Sequence, residues 1–459
     1  MLQQRLIDAL GPDAVKTSPE DLAVYAFDAY SEGQLPTAVV LPSSTREVCA
    51  AVKIAKDCGE PIVPRGVGTG LCGGAVPAKG GVVISFTRMN RILELDVRNR
   101  RARVQPGLIN LELSKQIAGT GLFYAPDPSS QKTCTIGGNV GTNAGGPHCL
   151  SYGTTVNHIL GLEVVDEAGE VYTTSVEDSG YDLTGTMVGS EGTLGIVCSI
   201  TVRLLRMPEA VRVWVAAFPD VESASECVSA IIGAGIVPTA LEIMDAMIVQ
   251  AVEAAFGGGY PTDAGAVLLI ESAGFEDDMN ATEAAIQRIA QAHGAISWRG
   301  ARSISERETL WAGRKGAMGA IGRFAPNYYI QDVVVPRTKL PQMLHFVEDT
   351  AKSHGLLVGN VFHAGDGNLH PLLMYDRRQP KQIAAVIDAG NDILTTCVDL
   401  GGTISGEHGI GIEKRETLTR VFSTADLAAM IHLREVFDPH RNFNPEKIFP
   451  ASVGCAEAR

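Results

Sequence analysis

Two short runs hold the residues best suited to chemistry: His363-Ala-Gly-Asp-Gly-Asn-Leu-His370 and Ser405-Gly-Glu407-His408-Gly409-Ile-Gly411. A neutral imidazole is a metal ligand, and two imidazoles at strand ends across a tight turn can converge on one ion. Glu407 supplies a third ligand of the two-histidine, one-carboxylate kind, which leaves positions open for substrate. Zn, Mn and Fe all accept such nitrogen and oxygen donors. A lone histidine would be read as a turn cap, but the chain has only 10 histidines and three of them fall in these glycine-flanked runs. With Glu407 on the metal, His408 faces a substrate hydroxyl, and an imidazole titrating near neutrality suits a general base. Metal coordination would lower the hydroxyl pKa and orient the adjacent C–H bond. A carboxylate substrate also needs a cation. Trp311-Ala-Gly-Arg314-Lys315 offers Arg314, which binds carboxylates bidentately, although on its own it reads as a surface helix charge.

The elements that must position these residues follow from periodicity. Leu356–Phe362 is an apolar strand that His363 ends, His370 starts the next, and Gly365 and Gly367 permit a hairpin. From residue 211 strands and helices alternate: strands at 211–217, 266–270, 332–335, 356–362 and 372–374, helices at 221–233, 280–293, 340–354 and 382–400. Two such runs predict a ferredoxin-like antiparallel sheet covered by helices. Met207-Pro208 marks a boundary.

Upstream, strands are expected at 38–41, 61–64, 81–85, 92–95, 102–105, 159–165 and 195–202. Helices are expected within 1–30, from Ser44 to about Gly59, and over 110–120. The fold class is α+β. The expected domains are 1–206, with subdomains of about 1–105 and 106–206, then 207–430, and a C-terminal segment 431–459.

Glycine is the compositional oddity, with 50 residues concentrated in 64–81, 137–153, 185–195 and 401–411. Such clusters mark backbone that turns sharply or approaches a ligand. Pro64-Arg-Gly66-Val-Gly68-Thr-Gly70-Leu-Cys-Gly73-Gly74 follows a strand, so its N–H groups could line a pyrophosphate. It is a poor nicotinamide-type fingerprint, because Leu71–Pro77 is a poor helix and the fingerprint requires one.

The bulk numbers exclude several classes. A chain of 459 residues exceeds one ordinary core. A net charge of −14 with no basic block argues against nucleic acid. Nine scattered cysteines with no Cys-x-x-Cys pair argue against a disulfide scaffold and an internal iron–sulfur cluster, and fit a reducing cytoplasm. The N-terminus lacks a signal-peptide core, and no run of about 18 apolar residues occurs, so no transmembrane segment is expected.

Read in order, the first glycine loop, Tyr124-Ala-Pro-Asp-Pro-Ser-Ser130 with Thr135–Gly146, and Val188-Gly-Ser-Glu-Gly-Thr-Leu-Gly-Ile-Val197 resemble the FAD-binding domain of the vanillyl-alcohol-oxidase superfamily. The resemblance implies FAD lying extended between two α+β subdomains, with the pyrophosphate on Arg65, Gly66, Gly68, Thr69, Gly70 and Gly74. It places Pro126, Asp127, Gly137, Gly138, Thr142, Asn143 and Gly145 along the cofactor, and Glu191, Gly195 and Ile196 near its adenine and ribose end. Some members tether the flavin through a histidine beside the first loop. That loop here has Val67, Gly68 and Thr69, so non-covalent FAD is expected.

The histidine motifs resemble the substrate (cap) domain of FAD-linked D-2-hydroxy-acid dehydrogenases, a family that includes D-lactate and D-2-hydroxyglutarate dehydrogenases and the flavin subunit of bacterial glycolate oxidase. That resemblance implies a divalent metal on His363, His370 and Glu407, base catalysis by His408, and substrate contacts from Arg314, Asn368 and His408. It implies that Asn444 returns to the flavin. The segments 310–315 and 322–332 look most like the glycolate-oxidase subunit. Hydroxyglutarate-type members carry a lysine two residues before the counterpart of Asp332, where this chain has Ile330, so a small 2-hydroxy monocarboxylate is expected. The expected reaction passes a hydride to flavin N5 and then electrons to an iron–sulfur subunit or a quinone pathway, with attachment to the inner membrane only through a partner. The alternatives are D-2-hydroxyglutarate oxidation, or a sugar or lactone oxidase on the same cofactor domain.

Overall fold

The computed structural model describes residues 1–31 and 33–451. The chain forms two compact units. One comprises Met1–Gly146, Gly153–Met207 and the chain from Glu407, and the other Pro147–Tyr152 and Pro208–Gly406.

The first unit contains two main sheets. In the four-stranded one the order is Val15–Lys16, Ala38–Val40, Val82–Ser85, Ile62–Arg65; the first pairing is antiparallel and the other two are parallel. The short apolar runs at 38–40 and 82–85 are wholly buried, as a covered parallel sheet requires. Helix Thr45–Asp57 starts where Ser44 accepts a hydrogen bond from the Glu47 N–H, and it buries Val48, Ala51, Val52 and Ala55 at helical spacing. The five-stranded antiparallel sheet runs Ile92–Asp96, Arg101–Val104, Ile196–Arg203, Ile159–Val165, Val171–Ser175.

This pairing corrects the expected subdomain boundary near residue 105. Strands 92–96 and 101–104 belong with the later sheet, because Val104 pairs with Ile200 and Arg101 with Arg203. Strand periodicity identifies both elements but carries no information on their partners. The C-terminal segment also differs from expectation: it rejoins the first unit at Glu407, not at 431. There the Ile62 N–H donates to the Asn442 carbonyl, the Asn444 N–H donates back to Ile62, and Phe443 is buried in the core.

The second unit is built on an antiparallel sheet in the order Ser297–Gly300, Ala210–Phe218, Ala266–Gly274, Ala240–Asp245, Leu357–His363, Asn368–Tyr375, Asn327–Ile330, with Val333–Val334 also pairing on 368–369. Helices cover it. Val221–Gly233, for example, buries Ala224, Cys227, Val228 and Ile231. The sequence pattern did not predict strands 240–245, 297–300 and 327–330 or helices Ala246–Phe256 and Ile304–Lys315. Strand 240–245 is buried throughout and so lacks the alternation that betrays a half-exposed strand. Residues 147–152 form an excursion of the first unit's chain into this one. No helix among the described residues is long and apolar enough to cross a membrane.

Candidate functional site

In the second unit, register alone assembles a polar row. Glu242 lies directly opposite His363, and His363 directly opposite Asn368. His370 is two residues beyond Asn368, pairs with Val361, and therefore presents its side chain on the same face. His370 is thus the third residue of its strand rather than the first, and residues 364–367 form the connection. Within the turn Gly367 has φ +79°, and a Cβ there would stand 2.2 Å from the Val335 carbonyl oxygen, so glycine is required.

The two imidazoles meet edge to face, their centroids 5.0 Å apart. A ligand nitrogen of each lies within 4.8 Å of one on the other. The second nitrogens are already engaged: His363 Nδ1 is 2.8 and 2.9 Å from the Glu242 carboxylate oxygens, and His370 Nδ1 is 3.3 Å from the Gln331 carbonyl. Acceptors at Nδ1 keep the proton there and leave the Nε2 lone pairs as donors, the arrangement that surrounds metal-bound histidines. The donor chemistry therefore fits a divalent metal. Asp332, wholly buried, accepts from Ser405 Oγ at 2.8 Å and the Gly406 N–H at 3.0 Å, and its other oxygen lies 3.9 Å from His370 Nδ1. It thereby anchors the segment that immediately precedes Glu407.

Arg314 is a buried residue, only 4% exposed, not a surface charge. Its Nη2 is 2.5 Å from Glu242 and 3.5 Å from His363 Nδ1. Its Nε has no partner among the described residues, and neither has the buried Asn368 Oδ1. One helical turn earlier, Trp311 Nε1 donates to Glu271 at 2.6 Å, and His148 Nε2 lies 2.9 Å from the same carboxylate. Glu271 pairs with Ala240 across the sheet, which puts it on the Glu242 face. The helix 304–315 is thus held on the sheet by two buried glutamates that motif reading overlooked. A charged residue inside the apolar run Ala240-Leu-Glu-Ile-Met-Asp245 was the available signal.

In the first unit the expected cofactor residues converge from distant parts of the chain. A Cβ on Gly66 would be 2.6 Å from Thr135 Oγ1, and one on Gly192 would be 2.3 Å from Pro64. The Glu191 N–H donates to the Gly141 carbonyl at 2.7 Å and the Gly189 N–H to Val140 at 2.8 Å. Asn143, left-handed at φ +53°, caps helix Ile136–Thr142, whose start is capped by Thr135. Asn110 Nδ2 donates to the Pro126 carbonyl at 2.9 Å. A Cβ on Gly146 would sit 2.6 Å from the Asp127 carbonyl oxygen, so the two Pro126–Gly146 strands of loop touch at backbone level. Asn444 Nδ2 reaches the Gly74 carbonyl at 2.9 Å and the Glu191 carbonyl at 2.6 Å, while its Oδ1 and Asn139 Nδ2 are buried without partners among the described residues. A Cβ on Gly70 or Gly141 would meet nothing within 4 Å, and neither has a positive φ. Protein packing does not explain those glycines, and the open backbone there leaves room for a ligand to approach closely. The residues present fit FAD.

Three expected cofactor residues have other duties. Arg65 folds back onto its own loop, with Nη1 3.3 Å from the Ala75 carbonyl and its guanidinium 5.7 Å from the Tyr25 ring. Ile196 is fully buried in the core. The Glu191 carboxylate, rather than pointing along the cofactor, accepts from the Ile410 and Gly411 N–H groups at 2.7 and 2.8 Å. Burial pushes this carboxyl up to about 7 against the pull of those donors and of Lys447 and Lys414. Cys72 Sγ donates to the His408 carbonyl at 3.0 Å, so the segment 408–411 is gripped from two sides. The His408 imidazole is mostly buried, its Nε2 4.0 Å from Glu407.

The backbone fold is shared with proteins of solved structure. It superposes on p-cresol methylhydroxylase with its substrate bound with a TM-score of 0.83, at 15% identity, covering 98% of this chain and 97% of that one. It superposes on an alkyldihydroxyacetonephosphate synthase with a TM-score of 0.74, at 20% identity, covering 95% and 82%. Residues 36–175 match an FAD-binding domain model and residues 207–448 the C-terminal domain model of FAD-linked oxidases. The chain belongs to the FAD-linked oxidases and is an FAD-dependent oxidoreductase. It is 42% identical to glycolate oxidase subunit GlcD of Escherichia coli K12 over 95% of this chain and 89% of that protein. It is 39% identical to the Bacillus subtilis GlcD over 98% and 96%, and 35% identical to a D-lactate dehydrogenase of Anaerostipes hadrus over 90% and 89%.

Proposed function

We propose that this enzyme oxidises a short 2-hydroxy monocarboxylate, glycolate or D-lactate, to the 2-oxo acid. The observation that carries the reading is the row Glu242–His363–Asn368–His370 with Arg314 laid over it: two imidazoles, their centroids 5.0 Å apart, beside a buried guanidinium. The names of the relatives point to the same substrates. His363, His370 and Glu407 are the proposed ligands of a divalent metal (Zn, Mn or Fe), which would supply Lewis acidity toward the substrate hydroxyl. FAD, when bound, supplies the hydride acceptor.

The chain's own groups have distinct tasks in this reading. Arg314 binds the substrate carboxylate through its remaining N–H groups, and Asn368 Oδ1 accepts from a polar group of the substrate. His408 takes the hydroxyl proton on its imidazole. Ile330 supports a monocarboxylate: it is buried, pairs with Leu372 and offers no charge to a second carboxylate. A membrane-peripheral or iron–sulfur partner that takes the electrons is consistent with the word subunit in the relatives' names.

The test is anaerobic mixing of the holoenzyme with glycolate, D-lactate and D-2-hydroxyglutarate. Flavin absorbance should bleach with the first two, and preference for the dicarboxylate would overturn the assignment. His408→Ala should reduce the bleaching rate by about 100-fold or more with FAD still bound. Undiminished reduction would remove His408 from the base role.

A further inference from the structure

Glu242 touches both groups on which the proposed function depends. It is wholly buried, its oxygens are 2.8 and 2.9 Å from His363 Nδ1, and Arg314 Nη2 is 2.5 Å from Oε2. Its place is fixed by main-chain register, opposite His363, so no loop movement is needed to bring it there. We propose that Glu242 is a positioning residue that sets the tautomer of His363 and the aim of Arg314 together, linking metal affinity to recognition of the substrate carboxylate. This inference rests on the metal and carboxylate roles proposed above.

The physical argument has two halves. A carboxylate against Nδ1 can be satisfied only by an N–H, so the proton of neutral His363 stays on Nδ1 and the lone pair on Nε2. Without that acceptor the ring is free to exchange tautomers or to turn, and ligand strength falls, as it does when other outer acceptors of metal-bound histidines are removed. For Arg314, a guanidinium buried to this degree needs a counter-charge. Glu242 supplies it through Nη2 alone, which leaves Nε without a partner among the described residues and available to a substrate. The neighbouring Glu271–Trp311 contact pins the same helix to the same sheet without touching His363, and provides an internal control.

The experiment measures Zn²⁺ and Mn²⁺ affinity by competition with a chromogenic chelator, and kcat and KM with D-lactate and glycolate. The proteins are the wild-type holoenzyme, Glu242→Gln, Arg314→Met, the double variant Glu242→Gln/Arg314→Met, and Glu271→Gln. Glu242→Gln alone strands a buried guanidinium and can fail to fold; the double variant removes both charges and keeps the question open to test. Metal affinity should fall about 10- to 100-fold in every folded variant that lacks Glu242, and stay within about threefold of wild type in Arg314→Met and Glu271→Gln. KM should rise about tenfold or more whenever either member of the pair is changed. Wild-type metal affinity in the double variant overturns the inference while the metal reading stands. Absence of any tight metal site in the wild type overturns both, and the wild-type titration alone distinguishes that case.

Discussion

Around Gly66–Gly74 and Ile136–Thr142 the proposed cofactor surface of the first unit is made of backbone. The residues there are glycines and caps, and the close approaches are between main-chain atoms and absent Cβ positions. The sheet of the second unit works the other way. Its backbone is regular, its hydrogen bonds close on each other, and everything that can bind or react is a side chain: Glu242, His363, Asn368, His370, and Arg314 from the overlying helix. A site of backbone tolerates changes of charge and fails when volume is added. A site of side chains on a regular sheet tolerates volume elsewhere and fails on the loss of one donor. The two regions should therefore respond to opposite kinds of substitution.

The largest effect that would break this contrast comes from the sheet. His370→Ala removes a proposed metal ligand and should lower the rate of flavin reduction by D-lactate about 100-fold or more, because a Lewis acid at the hydroxyl contributes several kcal/mol. The purified variant should keep a full complement of FAD, read from its flavin absorbance per chain. Extraction of the metal by a chelator should reproduce the rate loss, again with FAD retained. Loss of FAD in either case would show that the two chemistries are not separable.

Glu191 sharpens the comparison because it is a deeply buried carboxylate in the first unit's glycine loops. Its carboxyl titrates at about 7 in the fold, raised by burial, against 4.5 when exposed. The folded form therefore holds the proton more tightly than the unfolded chain. The resulting stabilisation is complete below pH 4.5 and is lost as pH rises to about 7, a span on the order of 3 kcal/mol at most. Melting temperatures of wild type and Glu191→Gln across pH 5–8 should show the wild type losing ground to the variant as pH increases. A difference that stays constant with pH would mean that the carboxylate remains ionised throughout, held by the Ile410 and Gly411 N–H groups.

What the sequence made legible divides along the same line. Glycine loops and the spacing His363-x6-His370 are local, so they can be read without knowing the pairing. The antiparallel cap sheet and the boundary at Met207 were likewise visible in periodicity. Glu242 was not, since its partner His363 is 121 positions away and only the 242-to-363 register joins them. Nor was the membership of strands 92–96 and 101–104, which depends on pairing with 196–203. Arg314 was singled out by its chemistry, but its burial was invisible, because helix 304–315 carries charges at Glu306, Arg307 and Glu308 that mask the face packed on the sheet. Glu191 was expected along the cofactor, yet its carboxylate holds 410–411, a contact between segments more than 200 residues apart.

Two glycines of one helix separate volume from ligand. A Cβ on Gly137 would lie 2.5 Å from Pro106 Cβ and 2.8 Å from its carbonyl oxygen, so Gly137→Ala must displace backbone. It should destabilise the protein by about 1–3 kcal/mol, the usual range for overpacking, whether or not FAD is present. Gly141, four residues on, has no atom within 4 Å of its Cβ position and ordinary helical φ. Gly141→Ala should therefore stabilise the FAD-free protein by about 0.5–1 kcal/mol through helix propensity and a less flexible unfolded chain. If the open space is where the cofactor lies, the same substitution should weaken FAD binding, so that the ranking of wild type and variant in thermal melts reverses when FAD is added. Equal stabilisation with and without FAD would remove Gly141 from the cofactor surface and leave its glycine unexplained.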